Sequence, residues 1–173
     1  MEMITLVDRQ DREIGAEEKM KAHREGKLHR AFSIFVFNQH GEMLLQKRSS
    51  DKYHSRSLWT NTCCSHPRPG EATEQAASRR LQEEMGFVCR MQKAFHFIYR
   101  ADLEDDLIEH EFDHVFIGQY GGVVAPDPKE VADYRWIKSA HLQKELKAAP
   151  QEFTVWFKIA LAHADYWKGL ASP

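Results

Sequence analysis

The chain contains no uninterrupted apolar run of about 18 residues and no opening segment in which charged, apolar and small residues follow one another. Neither a membrane span nor a secretory leader is therefore expected, and the cytoplasm is the simplest location. Excess positive charge is also missing. The 24 Lys and Arg against 26 Asp and Glu leave a formal charge of -2, which excludes the broad basic surface of a nonspecific nucleic-acid binder and leaves any anionic partner to a local cluster. Cysteine is scarce: three residues, two of them adjacent, make a poor disulfide framework and suit a reducing compartment. No internal repeat or low-complexity tract occurs.

What remains is an ordinary globular composition. At 173 residues, 42% of them apolar, the chain is long enough for one domain with a substantial core, an α/β or α+β unit covering 1–173. Residues 1–27 read as an edge strand to Val7, a charged turn DRQDREIG, and a helix from Ala16 to Glu25 stopped by Gly26. The core spans about 28–150. It opens with LHRAFSIFVF, apolar on both sides like a fully covered strand, and EMLLQKR follows after a turn. SSDKYHSRS is a cation-rich polar connection. Phe95 to Arg100 and Leu107 to Ile117 alternate as strands, the second placing Glu109, Glu111 and Asp113 on one face and His110, Phe112 and His114 on the other. EVADYRWI is a last strand, Ser139 caps a short helix, and an amphipathic helix is expected over 154–168.

The densest chemistry lies between Leu58 and Phe87, LWTNTCCSHPRPGEATEQAASRRLQEEMGF. As a strand, its first part puts Thr62, Cys64 and His66 toward one side and Cys63 toward the other. Pro67, Pro69 and Gly70 turn the chain, and Glu71 to Met85 reads as a helix closed by Gly86. On it Arg80 and Glu84 share a face that Thr73, Ala76 and Ala77 keep low for a ligand. His23, His29, His66, Glu109 and Glu111 offer mixed nitrogen and oxygen ligation that suits zinc or manganese. Lys19, Arg48, Lys52 and Arg80 are the cations available for an anion. His40, His54, His141 and His163 read as solvated or core-capping residues, as do His110 and His114. Cys63 and Cys89 read as packed small residues, and Glu83 as a surface carboxylate.

Counted back from Gly86, the stretch resembles the Nudix box, with Glu71, Arg79, Leu81, Glu83, Glu84, Gly86 and Phe87 matched. Ser65 stands at its opening Gly and Arg80 at the first Glu of its acidic triplet. Losing a helix carboxylate for a guanidinium removes a metal ligand and adds a cation, which suits holding a diphosphate rather than cutting it. With TNTCCSHP the match is similar to the type I isopentenyl diphosphate isomerase family, from about Lys19 to Trp156. The resemblance implies a single-domain, Nudix-like α+β fold, a mixed sheet sandwiched by helices. It implies an isomerase that moves a double bond in isopentenyl diphosphate by proton transfers, as in isoprenoid biosynthesis. Its catalytic residues would be Cys64, Glu111 and Tyr99, with Trp156 facing the carbocation. His23, His29, His66, Glu109 and Glu111 would hold Mn2+, Zn2+ or Mg2+. Glu84 would hold Mg2+ on a substrate diphosphate bound by Lys19, Arg48, Lys52 and Arg80. The expected partner is this small diphosphate, with no nucleic acid or membrane, in a monomer or homodimer.

Two other readings compete. A Nudix pyrophosphohydrolase needs the full carboxylate triplet, which Arg80 interrupts. A structural zinc module built on Cys63, Cys64 and His66 lacks the usual spacing between its cysteines and any second cysteine pair.

Overall fold

The computed structural model describes residues 2–163. Strand β1 (Met3–Val7) pairs antiparallel with β2 (Glu13–Glu18), and helix α1 (Lys19–Glu25) follows directly. The sequence reading put a helix over Ala16 to Glu25, but its first three residues belong to β2. Backbone groups of β1 that an edge would leave unpaired take partners from β2, and this pairing overrides the helix-forming composition of Ala16, Glu17 and Glu18. The helix begins where the Glu18 carboxylate accepts from the Met20 and Lys21 amides, and ends at Gly26 in the left-handed region.

Strand β3 (His29–Phe37) is the axis of the sheet. It pairs parallel with β8 (Ile108–Gln119) along its whole length, and antiparallel with β6 (Cys63–Ser65). β4 (Met43–Arg48) pairs with β5 (Trp59–Thr60) and with β9 (Val131–Ile137), while β7 (Met91–Asp102) forms a long hairpin with β8. The sequence reading ran one strand from Leu58 to Cys64. The structure breaks it at Asn61 and Thr62, where the chain leaves β4 for β3. Thr62 Oγ1 donates to the Leu44 carbonyl and accepts from the Val36 amide, stitching the two strands together. Thr62 therefore bonds between strands instead of sharing a side with Cys64 and His66.

Alternation along β3 divides two cores. Phe32, Ile34 and Val36 face α2 (Thr73–Met85), whose Ala76, Ala77, Leu81 and Met85 are fully buried there with Cys63. Phe35 faces the other way, toward Phe95, Phe97, Val115, α3 (Ser139–Ala148) and α4 (Val155–Ala162). The mixed sheet is thus covered by helices on both sides, the α+β sandwich expected. Burying the two alanines lets α2 approach the sheet closely, so they form packing and not an open ligand face. Gly86 closes α2 at φ 77, where a Cβ would stand 2.2 Å from the Ala125 carbonyl oxygen. No larger residue fits that approach. Lys138, not Ser139, is the N-cap of α3, and no side chain bonds there. α4 ends at Ala162, and the expected continuation to 168 lies outside the described residues. Among the described residues no helix is long and apolar enough to cross a membrane.

Candidate active site

The face of the sheet that carries Phe35 and Val115 also carries the chemistry, because side chains two residues apart on a strand point the same way. On β3 this face bears His29 and Ser33; on β8, Glu109, Glu111 and Asp113; on β7, Tyr99. Register aligns them across the sheet. His29 lies beside Glu111, Glu111 beside Tyr99, and Ser33 beside Cys64. Cys64 and His66 therefore share a side, as the period-2 reading has it, while Cys63 packs on the opposite face. Helix α1 brings Lys19 to the cavity wall and, four residues on, buries His23 behind it.

A cavity opens here whose wall includes Lys19, Arg48, Cys64, Glu84, Glu111 and Trp156. A wider, cation-rich cleft adjoins it, sharing Lys19, Lys52 and Arg80 and adding Arg68, Arg79 and Lys129. The expected catalytic, metal-binding and anion-binding residues other than His23 and His29 line the inner cavity. Those two histidines stand fully buried behind it.

The imidazoles are arranged as a metal centre requires. His23 Nδ1 donates to the Lys19 carbonyl at 2.7 Å and His29 Nδ1 to the Lys27 carbonyl at 2.8 Å. A carbonyl can only accept, so both rings keep their lone pair on Nε2, turned inward. Ligand atoms of His23, His29, His66 and Glu111 all lie within 4.8 Å of one another. Glu111 Oε1 is 3.0 Å from His66 Nε2 and 3.6 Å from His29 Nε2. Atoms each about 2.1 Å from one ion stand about 3.0–3.4 Å apart, so the spacing fits a divalent cation. His29 Nε2 is buried with no hydrogen-bond partner, a state that costs about 1–3 kcal/mol unless something binds there. The donor set fits the expected metal. Glu109 lies beside them, its Oε1 3.8 Å from His23 Nε2 and its Oε2 sharing the Tyr99 hydroxyl with Glu111.

Burial shapes the protonation of the whole site. Desolvation lowers the His23 pKa and pushes that of His66 well below the usual value, so both rings are neutral and able to bind a cation. At His29 burial works the same way, but the neighbouring Glu111 carboxylate outweighs it and the net shift is upward. Burial raises Cys64 to about 12, so the thiol keeps its proton at neutral pH. Tyr99 is held well above the usual phenol value by burial and by Glu109 and Glu111. Its hydroxyl donates to Glu111 Oε2 at 2.7 Å and to Glu109 Oε2 at 3.2 Å. Burial would raise Glu111, yet a proton shared with His29 and the hydrogen bond from Tyr99 pull it below the usual carboxylate value. The site thus presents a neutral thiol, a neutral phenol and an ionised carboxylate together.

The cations are less idle than the sequence implies. Glu84 is buried at 1% exposure, with Oε1 2.5 Å from Arg80 Nη2 and Oε2 accepting from Gln46 at 3.0 Å. Glu130, read as the first residue of the last strand, contacts both Lys52 and Arg80. Nothing in its spacing marks that role. Arg48 donates to the carbonyls of His54 and Ser55 and lies 5.2 Å over the Trp156 ring. Lys19 sits 4.4 Å over the ring of Tyr53. His54 corrects the sequence reading. It is neither solvated nor a core cap: it is 2% exposed, lines the cavity, and sets Nε2 2.8 Å from Glu109 Oε1.

The NUDIX domain model matches residues 27–157. A Burkholderia multivorans protein named isopentenyl-diphosphate Delta-isomerase is 54% identical over 163 residues, 94% of this chain and 93% of the relative. Photorhabdus laumondii isopentenyl-diphosphate Delta-isomerase 2 is 53% identical, covering 95% and 93%. Among solved structures, a Deinococcus radiodurans protein superposes with a TM-score of 0.72 at 19% identity, over 85% of this chain and 90% of that one. A MutT NUDIX hydrolase from Burkholderia pseudomallei gives 0.60 at 20% identity, over 78% and 96%. These two likenesses are to the fold.

Proposed function

This chain belongs to the Nudix family and, within it, to the isopentenyl-diphosphate Delta-isomerases, and from that premise we propose how its residues divide the work of converting isopentenyl diphosphate into dimethylallyl diphosphate. The observation that carries the reading is the gathering of Cys64, Tyr99 and Glu111 around one cavity with cations at its mouth.

The reaction adds a proton to the terminal methylene of an unactivated alkene, passes through a tertiary carbocation, and removes a different proton from the carbon beside the diphosphate-bearing one. An isolated alkene is a weak base, so the acid must be buried against it and water excluded. Cys64 and Glu111 are assigned to the two sides of the carbon skeleton. One proton between them is what turnover needs: at each moment one partner holds it and the other is free to take one. The neutral thiol and ionised carboxylate meet that condition at rest. Tyr99, hydrogen-bonded to Glu111, relays the proton on that side. Trp156 offers its ring to the carbocation, worth about 0.5–2 kcal/mol for a desolvated cation–π contact.

A divalent cation bound by His23, His29, His66 and Glu111, with Glu109 beside them, would supply positive charge that favours the ionised form of Glu111 at rest; Mn2+ and Zn2+ suit the nitrogen-rich set, and Mg2+ is the third candidate. At the mouth, Lys19, Arg48, Lys52 and Arg80 would bind the diphosphate, and Glu84 would hold its Mg2+. The bound diphosphate competes with Glu130 for Lys52 and Arg80, and the ion would draw Glu84 from its contact with Arg80. The chain acts on this one small substrate in the cytoplasm as a monomer or homodimer, without a nucleic acid or membrane. Its three unpaired cysteines agree with a reducing compartment.

Incubation with isopentenyl diphosphate and Mg2+ should yield the acid-labile allylic isomer. Release of phosphate without that isomer would point instead to a hydrolase. Glu84→Gln is expected to raise the Mg2+ and substrate concentrations for half-maximal rate by at least about tenfold, since a neutral amide is a poor ligand for a hard cation. Metal bound at the histidines should stay at the wild-type level; its loss on elemental analysis would show that the two cation positions are not separate.

A further inference from the structure

Two cations and two carboxylates meet at the outer rim of the cavity. Glu130 Oε2 contacts Lys52 Nζ and Glu130 Oε1 lies 3.2 Å from Arg80 Nη2, so the two oxygens of one carboxylate bridge the two cations. Two oxygens of a phosphoryl group can span the same pair. Glu84 also meets both, with Oε1 2.5 Å from Arg80 Nη2 and 3.9 Å from Lys52 Nζ. The carboxylates differ in their freedom to leave. The Glu84 side chain is 2% exposed and accepts from Gln46 at 3.0 Å. The Glu130 side chain is 28% exposed, and the residue lines the outer cleft and not the inner cavity. Its backbone is fixed, the amide donating to the Asp127 carbonyl and the carbonyl accepting from the Ser49 amide, both at 3.0 Å. Only the side chain has to swing, and solvent lies in its way out. Arg80 Nε, meanwhile, is buried with no acceptor, a donor that Glu130 leaves unused.

We infer that Glu130 is a resident stand-in for a phosphoryl group: it holds Lys52 and Arg80 poised in the free protein, yields them to an incoming diphosphate by swinging outward, and so sets how tightly that diphosphate is held. This rests on the proposed use of the rim as the diphosphate seat and adds a residue that tunes it. A ligand that must displace an internal competitor is weakened by the fraction of protein already open, so a bridge favoured about tenfold over the open arrangement costs about tenfold in affinity. Substrate and product carry the same diphosphate, and a seat without a competitor would hold the product as firmly as the substrate. The return of Glu130 to its bridge favours release.

The test measures binding of inorganic pyrophosphate to the full chain by calorimetry at fixed Mg2+, which needs no turnover. Glu130→Gln removes the charge and keeps the bulk, so its Kd should fall by about tenfold or more, and the gain should shrink as salt is raised. In Lys52→Gln, where the bridge has lost one end, adding Glu130→Gln should give a smaller gain. With isopentenyl diphosphate as substrate, KM should fall alongside and kcat should not rise. A variant damaged only in its packing would bind more weakly, not more tightly. Equal or weaker pyrophosphate binding in Glu130→Gln overturns the inference, and so does the same gain with and without Lys52. If the wild-type chain bound pyrophosphate but formed no allylic isomer, the isomerase reading would fall, and these affinities would still decide the role of Glu130.

Discussion

Cys64→Ala should reduce turnover by at least about a thousandfold while leaving metal content at the wild-type level. General acid–base groups contribute on the order of 10²–10⁴ in rate, and the account gives no second group on the Cys64 side of the substrate. The ligand groups His23, His29, His66, Glu111 and His23, His54, Glu109 contain no cysteine, so the metal should not notice the change. The thiol also has a recognisable titration. Burial holds it at about 12, so the rate of alkylation should keep climbing with pH past the ordinary thiol value of about 8.5. A substrate analogue should slow it. Substantial residual turnover in Cys64→Ala, or inactivation that tracks labelling of Cys63 with Cys64 untouched, would remove Cys64 from the chemistry.

Glu111→Gln should fail in a different way, losing turnover and metal together. The carboxylate accepts from Tyr99 at 2.7 Å, lies 3.0 Å from His66 and 3.6 Å from His29, and belongs to the larger ligand group. An amide of the same shape cannot take up a proton, and it puts either an oxygen without charge or an N–H against the ion. Turnover should fall by about a thousandfold or more, and cation affinity by at least about tenfold. The His29 titration provides an independent check in the metal-free protein. Its upward shift depends on the Glu111 charge outweighing burial, so in Glu111→Gln the His29 pKa should fall. Full metal retention in this variant would mean that Glu111 is not a ligand.

Much of this site was readable because strand periodicity and helix spacing are local. Two-residue alternation placed Glu109 and Glu111 on one face and separated Cys64 from Cys63, and four-residue spacing paired Arg80 with Glu84. The long, apolar β3 announced its own burial. What sequence could not give is which loops cross in space. His54 lies in a polar connection with no periodicity, and its ring is turned inward by contacts with Glu109, Tyr53 and Trp156 and by the Arg48 clamp on its carbonyl. Glu130 reaches Lys52 and Arg80 from a stretch about 50 residues beyond Arg80 in the chain, a contact that no local pattern encodes. The β1–β2 hairpin failed for the opposite reason. Helix propensity in Ala16 to Glu18 was real but weak, on the order of tenths of a kcal/mol per residue, and ladder pairing with β1 outweighed it.

The central claim is that the cations at the mouth hold a diphosphate intact while groups within the cavity move protons on its carbon chain. The most direct measurement follows isopentenyl diphosphate in D2O with the wild-type chain and Mg2+ by proton and phosphorus NMR. The account predicts dimethylallyl diphosphate with deuterium in a methyl group, delivered from an exchangeable protein acid, and an unchanged amount of diphosphate ester. Appearance of a monophosphate with inorganic phosphate, or of an allylic product carrying no deuterium, would contradict it.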